Sequence, residues 1–144
     1  PAAGSVAAWD ETVGTGRGGS TGEGPGTDSP GAAKFAEVVG DALDVAGPYT
    51  GESYDAAALI MLAMQAAGST DPSEYKGMIM DVANAPGEPI YPGELGKALE
   101  LIAAGTDIDY VGATAVELIG PGEAAGSYRE IKFEDGKMTT VGYR

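Results

Sequence analysis

Apolar positions recur at spacings of three and four between about residues 29 and 103, and at a spacing of two after residue 128. The first period predicts helices and the second predicts half-buried strands. Ser29 and Pro30 open the first helix: a serine oxygen can accept from the orphan amides of a first turn, and proline has no amide to leave unpaired there. This helix runs to Val39 before Gly40, with Phe35, Val38 and Val39 on its apolar side. The turn Gly47-Pro48-Tyr49-Thr50-Gly51 feeds the strongest helix, about Glu52 to Ala67. From Ala56 to Ala67 only Gln65 is polar, so burial on several sides is expected. Gly68 stops it in the left-handed conformation that glycine adopts without strain.

Asp71-Pro72-Ser73-Glu74 combines a capping Asp, a proline at the first helical position and a Glu three residues on. It predicts a helix to about Ala83 with Tyr75, Met78, Ile79 and Val82 on one face. Residues 84–93 hold three prolines and two glycines and read as a loop. A fourth helix spans about Glu94 to Ala103, with Leu95, Leu99 and Ile102 on one face, and ends at Gly105. Tyr110-Val111 and Val116–Ile119 read as short strands. Tyr128–Phe133 alternates, turns at Asp135-Gly136 and returns as Met138–Tyr143. The class is α/β, with few strands for so apolar a helix to lie on.

Composition changes the picture mainly by exclusion. The chain has 144 residues, the size of one ordinary domain, and its 24 glycines crowd toward the front. Residues 1–31 are rich in Gly, Ser, Thr and Pro, with one short strand-like piece near Thr12–Thr15. Net charge is −14, from 8 basic and 22 acidic residues. That balance argues against nucleic acid and against an anionic lipid surface, both of which need basic patches. Its simplest consequence is solubility through mutual repulsion. With no Cys and no His, thiol nucleophiles, imidazole acid–base chemistry and zinc sites with nitrogen or sulfur ligands are excluded. No apolar run reaches the roughly 20 residues of a membrane helix. Pro1–Ala8 has no basic start or long apolar centre, as expected of a mature chain or fragment whose precursor carried a signal peptide.

Three constellations have residue types that could carry chemistry. Gly14-Thr15-Gly16-Arg17-Gly18-Gly19 satisfies G-x-G-x-x-G, but a dinucleotide site needs a firm strand before it and a helix after it. Ser, Thr, Gly and Pro follow instead, and a flexible loop is the better reading. Asp107/Asp109 and Glu134/Asp135 could suggest acid–base work or calcium, yet both sit where solvated turns are expected. No catalytic residue, metal site or cofactor is predicted. Met61, Met64, Met78 and Met80 read as core fillers. Tyr49 stands out because it lies in the turn before the most apolar helix, close to Glu52 and Tyr54. A helix N-terminus under a turn aromatic is a reasonable edge for a small-molecule cleft; a packing role for Tyr49 is the alternative.

One ordered series of motifs points further. Gly47-Pro48-Tyr49, Ser53-Tyr54-Asp55-Ala56-Ala57 and the helix ending Ala66-Ala67-Gly68-Ser69 resemble the type I periplasmic solute-binding proteins of ABC transporters, above all the branched-chain amino acid (Leu/Ile/Val) branch. Ser29–Phe35, the stretch Ala98–Gly105 with Ile108–Thr114, and Gly120-Pro121-Gly122-Glu123 before the Tyr128 strand resemble later pieces of that family in order. The resemblance covers about residues 28–144. It implies an α/β fold of the periplasmic-binding-protein-like type I, present here as the C-terminal portion of a two-lobed, hinged structure. On that mapping, 1–22 belong to the second lobe and its hinge, 23–126 complete the first lobe, and 127–144 return as hinge and closing hairpin of the second.

The function this implies is extracytoplasmic, periplasmic capture of an amino acid or related small molecule between closing lobes, with delivery to a membrane permease and no enzymatic activity. A ligand-sensing domain of a receptor or regulator is the alternative. Of the family's ligand-gripping residues, the Tyr of the GPY turn matches Tyr49, with Glu52 and Tyr54 as weaker neighbours. A chain missing most of the cleft is expected to bind no amino acid tightly by itself.

Overall fold

The computed structural model describes residues 19–45, 47–134 and 137–144. The strand-like piece at Thr12–Thr15, most of the glycine motif at 14–19 and the Asp135-Gly136 turn lie outside the described residues. Three helix punctuation marks work as their residues predict. Helix α1 spans Pro30–Val39, with the Ser29 side chain accepting from the Ala32 amide. Helix α2 spans Thr50–Ala67 and ends on Gly68 at φ 62, whose amide donates to the carbonyls of Gln65 and Met64. Asp71 caps α3 (Pro72–Tyr75) by accepting from the Ser73 amide at 2.8 Å and its hydroxyl at 2.7 Å. Glu74 does not complete a reciprocal box, because the Asp71 amide donates to Ser69 Oγ instead.

The single helix expected over 72–83 is interrupted. Lys76–Met78 tighten into a 3-10 turn, and α4 resumes at Ile79–Ala83. Residues 84–93 are not wholly loop either. Glu88–Ile90 form strand β2, which pairs in parallel with β3 (Ile108–Tyr110). Pro89 is tolerated because β2 is an edge strand, where a missing donor leaves no gap in the ladder. Helix α5 (Leu95–Ala103) makes the crossover that a parallel pair requires. Its buried residue is Ala98, and Leu99, expected on the inner face, is exposed.

Core packing centres on one stripe of α2: Ala58, Leu59, Leu62 and Ala63 are buried against Val82, Ala83, Ile90 and Ile108. The expectation of burial on several sides fails, since Ile60 and Met61 are 39% and 49% exposed. Met61 therefore is not a core filler. One parallel strand pair, the short helices α3, α4 and α5 and the 3-10 turn between α3 and α4 cover one face of α2, while Ile60 and Met61 on its other side stay exposed. Beyond β3, Asn84 holds strand β4 (Leu118–Gly120) with its amide group: Nδ2 donates to the Leu118 carbonyl at 2.7 Å and Oδ1 accepts from the Leu118 amide at 3.0 Å. β4 turns into β5 (Glu123–Ala124) through the Gly120–Glu123 corner.

A separate antiparallel sheet joins the two ends of the described chain. β1 (Ser20–Pro25) pairs with β6 (Tyr128–Glu134), and β6 with β7 (Lys137–Tyr143). Arg144 ties the sheet together by pairing with Glu23 and Glu130. No described residue of this sheet is fully buried.

Candidate functional site

Where the antiparallel sheet meets the helical layer, a cleft of about 240 Å³ opens. One wall is the sheet side, with Pro25 at the end of β1, Gly26 just after it, Arg129 on β6 and Tyr143 on β7. The Arg129 stem lies across Gly26, where a Cβ would come within 3.1 Å of its Cδ. The other wall is built from the N-terminal ends of two helices and one loop: Ala32 and Phe35 of α1, Gly51 and Glu52 of α2, and Ala113 and Thr114 after β3. Helix N-termini carry unpaired amides and a partial positive charge. The walls thus offer an aromatic, a carboxylate, a guanidinium and a hydroxyl around a small volume, the mixture expected of a site for a polar small molecule.

The firmness of the second wall comes from a residue whose type gave no warning. Asp55 of α2 is 2% exposed and accepts four hydrogen bonds. Its Oδ1 receives the Tyr110 hydroxyl at 2.9 Å and the Ala113 amide at 2.7 Å. Its Oδ2 receives the Thr114 amide at 2.8 Å and the Thr114 hydroxyl at 2.7 Å. A buried carboxylate is tolerable when its lone pairs are filled this way. Burial, reinforced by the Asp55 charge beside it, pushes the Tyr110 phenol far above its usual range, so its hydroxyl remains a donor. Gly112, at φ 63, leaves room for this carboxylate, which a Cβ would strike.

The three residues singled out in the sequence occupy different places. Glu52 lines the cleft. Tyr54 packs on Phe35 with ring centroids 4.9 Å apart, and its hydroxyl accepts from the Gly93 amide at 3.4 Å. Tyr49 stands at the start of α2 in the left-handed region (φ 64), 64% exposed, outside the cleft's immediate lining. Such a backbone is costly for a bulky residue and tends to be kept where function needs it. Thr114, Arg129 and Tyr143 were missed, because the sequence has no local signal for residues that meet only across the fold. Among the described residues no group of carboxylates could hold a metal ion, and no helix is long and apolar enough to cross a membrane.

Similarity to known proteins follows the same architecture. The structure superposes on the crystal structure of a leucine-binding protein, LivK, from Thermotoga maritima, with a TM-score of 0.64 at 17% identity over 95% of this chain. The fold is therefore part of a type I periplasmic binding fold. The chain corresponds to 34% of that binding protein's length. A 67-residue stretch, 46% of this chain, is 42% identical to the chemotactic signal transduction system substrate-binding protein BasB of Halobacterium salinarum, and corresponds to 16% of it. No protein-family model matches the chain. Both relatives are named as binding proteins, and the partial type I periplasmic fold agrees with the α/β class expected from the motif series.

Proposed function

We propose that the chain is part of an extracytoplasmic solute-binding protein that captures an amino acid or related small molecule in the cleft and delivers it to the permease of an ABC transporter. The observation that carries this reading is the match of nearly the whole described architecture to a leucine-binding protein, combined with a cleft at the junction of two layers. In this reading residues 23–126 belong to one lobe, and the segments up to 22 and from 127 belong to the hinge and the other lobe. Closure of the lobes around the solute would stabilise the closed state through contacts to both. Glu52 meets the solute from the cleft wall, Tyr49 is presented outward to meet it as the lobes close, and Tyr54 backs the wall through Phe35. No catalytic step is proposed.

A second reading is favoured by one finding, the name of the Halobacterium relative, which is a substrate-binding protein of chemotactic signalling. The same capture would then feed a receptor rather than a permease. Both readings share the binding step, and a titration tests it. Leucine, valine and phenylalanine are added to the isotope-labelled full-length protein, because the 144-residue chain by itself is expected to bind no amino acid tightly. Amide shifts concentrated at Gly51, Glu52, Thr114 and Arg129 are expected. Shifts spread evenly over the surface, or none, would remove the cleft from the account.

A further inference from the structure

The loop between β3 and β4 is held in an unfavourable shape. Gly112 and Ala115 both have positive φ, 63 and 53 respectively. The second is a non-glycine residue in a left-handed conformation that its Cβ disfavours. Isolated loops do not keep such backbones; a surrounding structure has to impose them. Three contacts do so here. The Asp55 carboxylate collects the amides of Ala113 and Thr114 and the Thr114 hydroxyl. The Val116 amide closes back on the Val111 carbonyl at 3.0 Å. The first turn of α1 presses on the loop at Gly31, where any Cβ would run into the Gly112 carbonyl oxygen.

The consequence reaches the cleft directly. Ala113 and Thr114 are wall residues, and Gly51 packs so closely that a Cβ there would sit 3.0 Å from the Thr114 methyl and 3.6 Å from the Ala113 Cβ. Asp55 lies one helical turn beyond Gly51 on α2, so a single buried side chain ties the helix that presents Glu52 to the loop that presents Thr114. We infer that Asp55 is a positioning residue for the solute site, fixing the 111–115 loop against the start of α2 so that Thr114 and Glu52 face one cleft. This rests on the reading of the cleft as a solute site, but its structural content does not need a ligand.

Asn is nearly isosteric with Asp and makes a sharp probe. Whichever way the amide of Asp55→Asn is turned, its NH₂ group meets a backbone N–H, of Ala113 or of Thr114, that cannot accept. The Tyr110 and Thr114 hydroxyls could rotate to compensate, but the amides cannot.

The test compares Asp55→Asn with Leu62→Ala in the isotope-labelled 144-residue chain without ligand. Leu62 is on the same helix and buried, but it is not bonded to the loop. The readouts are the contact between the Gly51 α-protons and the Thr114 methyl, and hydrogen exchange at Ala113 and Thr114. In Asp55→Asn the contact should be lost in the folded population, and exchange at the two amides should rise roughly 10- to 100-fold while Leu59 and Leu62 amides keep their protection. Leu62→Ala should lower stability and leave the contact in place. If both variants retain the contact, Asp55 contributes stability alone and the positioning role is overturned. Should Asp55→Asn not fold, Thr114→Val keeps the methyl and deletes one donor to Asp55. Faster exchange at Ala113 and a displaced Gly51 contact would then support the inference, and wild-type behaviour would overturn it. Failure of amino acids to shift the cleft resonances would instead defeat the proposed function, leaving the Asp55 result standing.

Discussion

The two walls of the cleft are made in opposite ways. The helical wall stands on a core in which Leu62, Ile90, Ile108 and Tyr110 are fully buried, with a satisfied carboxylate beneath its loop. The sheet wall has no fully buried residue in its described strands and is held by ladder hydrogen bonds and the exposed pairs of Arg144 with Glu23 and Glu130. Exposed ion pairs contribute little, about 0–1 kcal/mol each, and salt screens them. Free energy of opening therefore differs across the cleft, low on the sheet side and high on the helical side. Segments that move on binding are drawn from the low end, so on the proposed reading the sheet is the part expected to move.

The sharpest way to break this contrast is a matched pair of truncations. Leu62→Ala removes a buried side chain from the rigid wall and should cost about 2–5 kcal/mol in denaturant unfolding. Val141→Ala, on β7 and 56% exposed, should change stability by less than about 0.5 kcal/mol. Comparable losses at the two sites would mean that the sheet has a core of its own. Tyr49→Ala probes the gap between the walls. In the full-length protein it should weaken leucine binding by about 1–3 kcal/mol if the ring closes over the solute in a desolvated pocket, and unchanged affinity would make Tyr49 a surface residue.

Relief of strain sharpens the comparison on the rigid side. Ala115→Gly removes the cost of a left-handed alanine and should raise the unfolding midpoint, by an amount equivalent to about 1 kcal/mol or less once the added freedom of the unfolded chain is subtracted. A lower midpoint would show that the Ala115 methyl has a packing role outweighing its strain. The smallest effect is electrostatic. The Ser73 hydroxyl, then its amide, hold the Asp71 carboxyl below its ordinary value of 3.8. A lowered carboxylate contributes stability that is fully present above 3.8 and is lost as pH falls through the lower folded-state value. Asp71→Asn should therefore lower stability slightly at neutral pH, lose nothing at pH values below the folded-state value, and so flatten the acid limb of the stability curve, as read by thermal unfolding at stepped pH.

Legibility from sequence divided along similar lines. Caps depend on residues one to three apart, so Ser29, Gly68 and Asp71 announced their helix ends correctly. The β6–β7 hairpin was equally plain from its alternation. β2 was hidden because Pro86, Pro89 and Pro92 mark a loop by composition, while its pairing partner Ile108–Tyr110 is distant in sequence. The length of α2 was legible, but its exposure was not: an apolar surface on Ile60 and Met61 says nothing about whether anything covers it. Asp55 was unreadable for a related reason. A lone acid in a helix looks like a solvent-facing residue, and its role appears only when residues 110–114 fold back onto it. Motif order did reveal the fold, because the turn, helix and strand pieces occur in a fixed succession even where each is individually weak.

The claim that the cleft closes on a solute by recruiting the soft wall to the rigid one is tested most directly by amide hydrogen exchange in the full-length protein with and without millimolar leucine. Binding across the cleft should slow exchange at Arg129 of β6 and at Tyr143 of β7, both remote in sequence from α2, while the already protected Leu62 and Ala63 amides change little. Leucine-induced protection confined to α2 and the 111–115 loop, or no protection anywhere, would contradict it.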